Sequence, residues 1–306
     1  MKKAITYTGD QICRSLLQKA IRRGAVDVAE SATIHLIQKG ETAWLKNRLG
    51  VIAFEEAWAF AAKLQFTTNE QLRIKQYKEL ASSSKNKNAA GLGSLGYELS
   101  KGAGSVLVKN EPTNKHVKII AEAVRRPDDF WRWVKQLKSD QEGLGFLEKA
   151  ESGFKLAGWP WDKAFAIASA YLFVTDDVPV VTVFNYSPPA SFPLWVAIDK
   201  HTTIGKRALE KCAEKFNLDK TTLGWIQFYL ESAKCANLQP SPWWEREKSW
   251  RLETEGVGRG KAEIIWRDSS IFLHELLASQ EAALKNELEH SSNQYQSTLK
   301  TQGNLI

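Results

Sequence analysis

The sequence has few cysteines and no long hydrophobic run. Its three cysteines, Cys13, Cys212 and Cys235, lie far apart and include no C-x-x-C pair. This usage excludes a disulfide-stapled mini-protein and favours a reducing compartment. No apolar run approaches the ~20 residues that cross a bilayer, and no apolar core follows the opening Met-Lys-Lys. We therefore expect no signal peptide, no membrane contact and a cytoplasmic location.

Motifs for catalysis and for cofactors are also missing. The sequence has no H-E-x-x-H, no nucleophile motif and no paired metal-ligand spacing. Its nearest approach to a phosphate loop is the segment 256–261, where the spacing is wrong and Ala262 replaces the hydroxyl that binds magnesium. We therefore expect no catalytic residue, no metal and no cofactor, and no ATP hydrolysis by the isolated chain.

What the chain has in quantity is apolar material, tryptophan and positive charge. Of its 306 residues, 43% are hydrophobic and 25% charged, which is typical of a globular protein with a real core. Twelve tryptophans supply large anchors for cores or interfaces. The net charge of +7 favours anionic partners.

Hydrophobic spacing predicts an all-α protein of helical bundle subdomains. Apolar residues recur at helical intervals, and caps and glycines fall where helices begin and end. At most one short segment, 178–184, is strand-like, and Pro179 makes it an edge or an extended connection. The predicted helices cover three segments within 9–62, then 67–80, Ala89 to Leu99, two segments within 114–150, 163–174, 203–216, 220–236 and 260–290.

One segment resembles a known family. The run from Ser15 to Gly24, a helix ending before Gly40-Glu41, and the run from Lys46 to Glu56 match in order and spacing the C-terminal helical region of the RarA/MgsA family. These are clamp-loader-like AAA+ ATPases of DNA replication and repair. The match covers about residues 9–100, with Glu56 where the family often has Asp. Lys85-Asn86-Lys87-Asn88-Ala89 is similar to a later family segment.

The resemblance implies a collar-like region without its motor. In clamp loaders that region holds subunits together, so it implies a homo-oligomer, a partner AAA+ ATPase on a separate chain, and DNA. We divide the chain into a collar-like helical subdomain at 1–105, a second helical subdomain at 106–290 and a flexible tail at 291–306. The glycine-rich stretch 81–105 is the candidate boundary, and a loop within one domain is the alternative.

Two sets of residues are candidates for binding phosphate. Lys19, Arg22 and Arg23 on the first helix, with Lys46 and Arg48 on the third, form either a phosphate-tracking stripe or a solvated face opposite the apolar stripe. A helix that starts at Thr203 would direct its free N–H groups at an anion. The alternative there is an ordinary N-cap. The candidate anion site comprises His201, Thr202, Thr203 and Gly205, with the cations Lys206 and Arg207.

The segment from Pro242 to Arg251 interleaves tryptophans with cations. Such a pattern can stack bases and hold phosphates, and the alternative is that the tryptophans lie in a core or an interface. Our interpretation is a non-catalytic assembly or DNA-binding module in DNA replication or repair. The alternative is a hydrolase or nucleotidyl-type enzyme that uses Asp199, His201 and Lys206.

Overall fold

The computed structural model describes most of the chain as α-helices. The described residues are 10–102, 114–138, 140–175, 202–233, 238–239, 241–257, 259–280 and 282–283. The all-α prediction is confirmed. The helices are α1 (Gln11–Arg22), α2 (Val26–Gln38), α3 (Thr42–Glu56), a 3-10 helix (Trp58–Lys63), α4 (Glu70–Ser82), α5 (Asn88–Ser100), α6 (Asn114–Arg125), α7 (Pro127–Gln136), α8 (Gln141–Leu156), α9 (Pro160–Val174), α10 (Thr203–Phe216), α11 (Lys220–Ala233), α12 (Pro242–Thr254) and α13 (Arg259–Ala278).

Short-range signals set the first helices. The Asp10 side chain accepts a hydrogen bond from the Cys13 backbone N–H at 2.9 Å, and so caps α1 as its sequence position predicts. Gly24 follows α1 with a φ of +72°, a left-handed conformation that favours glycine. The buried face of α1 then packs against α2, α3 and α4. These contacts place both ends of α1 against other helices.

The glycine-rich stretch forms a central helix. Helix α5 contacts α6, α9 and α12, and every residue from Ala89 to Tyr97 is buried. Glycine is required at Gly91, because a Cβ there would lie 2.4 Å from the backbone nitrogen of Trp244. At Gly96 a Cβ would lie 2.4 Å from Ile120 Cγ2. The absent side chains therefore let α12 and α6 approach α5 closely.

The main hydrophobic core extends across residue 105. It joins buried side chains of α1 to α9 with Trp243 and Trp250 of α12. A smaller cluster, separate from it, forms between α10 and α13 around Cys212 and Leu273. The boundary of the main core thus does not coincide with residue 105. Core packing does not test which segments fold independently, so the division into 1–105 and 106–290 stays a prediction.

Extended structure is minimal in the described part of the chain. Two-residue strands β1 (Lys85–Asn86) and β2 (Leu238–Gln239) pair in parallel. The segment 178–184, predicted to be strand-like, and the tail 291–306 lie outside the described residues. None of the helices over the described ranges is both long enough and apolar enough to cross a membrane.

Candidate functional site

Two of the five residues of the predicted basic stripe lie inside the protein. Lys19 and Arg22 are only 5% and 3% exposed. The Arg22 Nε donates to Glu56 Oε1 at 2.7 Å, and an Nη of Arg22 donates to Glu55 Oε1 at 3.2 Å. Lys87 donates to the other Glu56 oxygen. The expectation that Lys19 and Arg22 share an exposed basic face is wrong, because the end of α3 covers this side of α1.

This buried cluster is an ionic link between three helical segments. Burial alone would raise the pKa of Glu56, but Arg22 and Lys87 hold that pKa below its ordinary value. The Glu56 carboxylate is therefore charged and bound by both cations. Arg22 and Lys87 serve as its counter-ions, and a surface phosphate is out of their reach.

The remaining stripe residues differ in their contacts and exposure. The Arg48 Nη1 donates to Asp162 Oδ2 at 2.8 Å, which joins α3 to the start of α9. Burial raises the pKa of Asp162 to about 6; Arg48 opposes this shift and Glu55 adds to it. Arg23 and Lys46 are half-buried. The five stripe residues thus do not form one exposed row.

The predicted anion site is an ordinary helix start in its described part. Thr202 is the N-cap of α10, and its hydroxyl accepts from the Gly205 backbone N–H at 3.0 Å. Thr203, Lys206 and Arg207 are exposed, while Thr202 and Gly205 are buried. Residues 199 and 201, which the hydrolase alternative requires, lie outside the described residues. The capping interpretation accounts for what is described here.

The tryptophans of α12 are core residues. Trp243, Trp244 and Trp250 are at most 4% exposed, so their rings are not open to stacking bases. Arg251 pairs with Glu247 at 3.3 Å and with Glu98 at 3.1 Å, which ties α12 to α5. The core alternative for this segment is therefore correct. Sequence analysis did not predict α12 as a helix, because the charged residues Glu247 and Arg251 share its buried face with the tryptophans and interrupt the apolar pattern.

A basic pocket lies where the ends of α5 and α6 meet the start of α9. Its volume is about 430 Å³, which is within the range of small-molecule sites. We call it the basic pocket. The residues that line it are Tyr97, Ser100, Lys101, Val124, Arg125, Pro127, Phe154, Pro160, Lys163, Ala164 and Ile167.

The basic pocket carries three cations and no carboxylate among these lining residues. Arg125 is anchored to the wall, since it donates to the Leu99 carbonyl at 3.2 Å and pairs with Glu122 at 3.4 Å. Within the described ranges, Lys101 and Lys163 form no ion pair with a carboxylate. The positive charge of these two lysines is therefore available to a ligand.

Aromatic rings lie beside both lysines. The Lys101 Nζ is 5.5 Å from the Tyr97 ring centroid, and the Lys163 Nζ is 5.1 Å from that of Phe154. Trp161 packs on Tyr97 with a centroid distance of 4.9 Å and remains 36% exposed. A partly exposed indole thus packs on Tyr97, a residue of the pocket wall.

The start of α9 brings partial positive charge to the basic pocket, and the C-terminal ends of α5 and α6 at the same cavity oppose it. Pro160 is the first residue of this 15-residue helix, and Trp159 at the N-cap gives no side-chain cap. The first-turn carboxylate, Asp162, is directed to Arg48 instead. The helix dipole places partial positive charge at this end. Two lysines, an anchored arginine and an uncapped helix end therefore border one cavity.

Sequence analysis missed the basic pocket because tertiary packing assembles it. Lys101, Arg125 and Lys163 come from three helices and show no common spacing. The one local signal is Trp159-Pro160-Trp161, in which two aromatic residues flank a proline at a helix start. Both rings are exposed in the structure, Trp159 at 61% and Trp161 at 36%.

A possible group of metal ligands is found near the start of α1. Asp10, Cys13 and His35 offer ligand atoms within 4.8 Å of one another. His35 Nε2 lies 2.9 Å from Asp10 Oδ2, and Cys13 Sγ contacts the Ala32 carbonyl at 3.5 Å. These hydrogen bonds explain the grouping as a polar link between α1 and α2.

Comparison with known proteins identifies no relative. No protein-family model matches the chain, and no curated protein or solved structure matches it. The functional interpretation therefore depends on the geometry of the chain itself and on the resemblance described above.

Proposed function

We propose that the chain is a non-catalytic nucleic-acid-binding and assembly module of DNA replication or repair, acting in the cytoplasm beside an AAA+ ATPase. The observation that carries the proposal is the basic pocket, with Lys101 and Lys163 free of described ion pairs. The resemblance of residues 9–100 to RarA-type collar helices supports the pathway. The net charge of +7 supports an anionic partner.

The chemistry of the basic pocket suits a phosphate-bearing ligand. Ammonium groups bind phosphate as point charges, and those of Lys101 and Lys163 belong to residues that line the cavity. A partly exposed indole packed on a residue of the pocket wall can stack a base, which is how many proteins hold single nucleotides of a strand. Nucleic acid supplies both the phosphate and the base.

Assembly is supported by a second surface. An apolar groove of about 370 Å³ lies between α6 and α7, lined mainly by Ile119, Ala123, Phe130 and Trp133. Ile119 and Trp133 are 37% and 39% exposed, and Leu137 beyond them is 50% exposed. Adjacent large apolar side chains of this kind mark contact surfaces more often than scattered ones do. This groove is our candidate for contact with another subunit.

No described geometry favours the hydrolase alternative. Lys206 is exposed on the first turn of α10, and its proposed partners Asp199 and His201 lie outside the described residues. The segment 256–261, which most resembles a phosphate loop, follows helix α12. A phosphate loop follows a strand.

A salt titration with labelled DNA tests the proposal. We expect the wild-type chain to bind DNA at ~50 mM salt. The slope of the logarithm of the binding constant against the logarithm of the salt concentration reports how many phosphates it contacts. The double variant Lys101→Ala/Lys163→Ala should bind more weakly, with a slope shallower by about 1.5–2. Both side chains lie at the surface of the pocket, so the urea unfolding of the double variant should match that of wild type.

The matched control is Lys206→Ala/Arg207→Ala, which removes the same charge from the exposed face of α10. If the control loses as much affinity as the pocket variant, the basic pocket is not the particular site, and DNA binds through surface charge in general or at the start of α10. Wild-type binding no better than that of a neutral protein would overturn the nucleic-acid proposal itself.

A further inference from the structure

The basic pocket concentrates its charge at one place. A protein that tracks a strand spaces its cations along a groove, one after another, to meet successive phosphates. Here Lys101, Lys163 and the start of α9 border a single cavity of about 430 Å³. That volume is near the lower end of ligand sites, and it suits one nucleotide better than a strand.

The charge of the pocket suits a dianion. A phosphodiester within a strand carries one negative charge, whereas a phosphomonoester carries about −1.5 to −2 at neutral pH. Two lysines without a described carboxylate partner supply matching charge, while the dipole of α9 is opposed by those of α5 and α6, whose C-terminal ends border the cavity. Arg125 adds little, because Glu122 and the carbonyls of α5 already hold it.

From these observations we propose that the basic pocket binds a nucleoside phosphomonoester, with the phosphate between Lys101 and Lys163 and the base against Trp161. This ligand is either a free nucleoside monophosphate or the terminal nucleotide of a phosphorylated strand. The inference deepens the proposed function and rests on it for the strand-end form. Trp161, which is 36% exposed and packs on the pocket residue Tyr97 at a centroid distance of 4.9 Å, is the surface for the base.

Two strands of one sequence, one ending in a 5′-phosphate and one in a 5′-hydroxyl, provide the test. We expect the phosphorylated strand to bind about tenfold more tightly, as for a charge-assisted contact at the terminal group. Lys101→Ala/Lys163→Ala should abolish this preference, and Lys206→Ala/Arg207→Ala should keep it. Equal affinity for the two strands in wild-type protein would overturn the strand-end form.

Competition distinguishes the sources and the part played by the ring. Nucleoside monophosphate should displace the phosphorylated strand at lower concentration than inorganic phosphate, and the unphosphorylated nucleoside should not displace it. Trp161→Leu should weaken the binding of nucleoside monophosphate several-fold and leave the binding of inorganic phosphate unchanged. If inorganic phosphate competes as well as the monophosphate, the base has no site and the inference is wrong in that part.

The inference and the proposed function can fail separately. Binding of both strands with equal affinity leaves a DNA-binding module and removes the terminal-phosphate pocket. If no strand binds, calorimetry with nucleoside monophosphate alone decides the inference. A titration lost in Lys101→Ala/Lys163→Ala would support a free-nucleotide site, and no heat with wild-type protein would overturn it.

Discussion

Arg22 and Glu56 form a buried ion pair that joins α1 to the end of α3. The guanidinium Nε lies 2.7 Å from the Glu56 Oε1, and the side chains are 4% and 0% exposed. Lys87, also 0% exposed, binds the same carboxylate. Glu56 binds two buried cations, and Glu55 also pairs with Arg22 at 3.2 Å. Loss of the Glu56 charge therefore leaves Lys87 without its carboxylate partner and Arg22 with Glu55 alone.

We expect Glu56→Gln to lower the free energy of unfolding by about 3 kcal/mol or more, the cost of leaving buried charges uncompensated. Urea denaturation at neutral pH measures it. The matched control is Glu79→Gln, which removes a 3.8 Å pair with Lys75 on the exposed face of α4. That change should cost less than about 0.5 kcal/mol. Equal effects would show that the buried cluster stabilises the protein no more than the exposed pair does.

The pair of Arg48 and Asp162 predicts that part of the stability is lost as the pH rises. The pKa of Asp162 rises from its ordinary 3.8 to about 6 on folding, mainly through burial. The folded state therefore binds this proton more tightly than the unfolded state. Its contribution to stability is full below pH 3.8 and is lost as the pH rises through about 6.

Asp162→Asn isolates this contribution, since the amide oxygen can still accept from Arg48. We expect the free energy of unfolding of the variant, relative to wild type, to rise by about 2–3 kcal/mol between pH 4 and pH 7. Urea denaturation at a series of pH values measures the difference. A difference that is constant with pH would show that Asp162 keeps an ordinary pKa in the folded protein.

Local signals predicted the fold better than the site. Helix α1 begins after Asp10 and ends before Gly24, as the positions of these residues predict, since caps act within a few residues. Periodicity placed Arg22 on an exposed face, because it cannot show that α3 brings two carboxylates to that face. Lys101 and Lys163 meet only through tertiary packing, and no spacing in the sequence records it.

The close packing of α12 on α5 predicts that one added methyl group, at Gly91, lowers the free energy of unfolding. In Gly91→Ala the new Cβ would lie 2.4 Å from the Trp244 nitrogen and 2.7 Å from the Trp243 carbonyl carbon. Both atoms are backbone, so α12 would have to shift. We expect a net loss of about 2 kcal/mol in the free energy of unfolding, despite the higher helix propensity of alanine.

Gly145→Ala is the matched control for this change, since a Cβ on this α8 residue would meet nothing within 4 Å. It should raise the free energy of unfolding by about 0.5–1 kcal/mol, through helix propensity alone. Thermal or urea unfolding compares the two variants directly. A stabilised Gly91→Ala would mean that α12 does not pack against α5 as closely as described.

The apolar groove between α6 and α7 predicts where the chain associates. Trp133 is 39% exposed on this groove, and a carboxylate in its place would oppose burial against another subunit. We expect Trp133→Glu to shift the protein toward monomer in light scattering across a concentration series. The variant also loses the ring contacts with Phe130 and Tyr171, so urea unfolding checks that it is still folded. Ile264→Glu is the control, because Ile264 is an exposed apolar residue of α13, at 51%. Loss of association in the control but not in Trp133→Glu would place the interface on α13, and a wild-type monomer at every concentration would contradict self-association altogether.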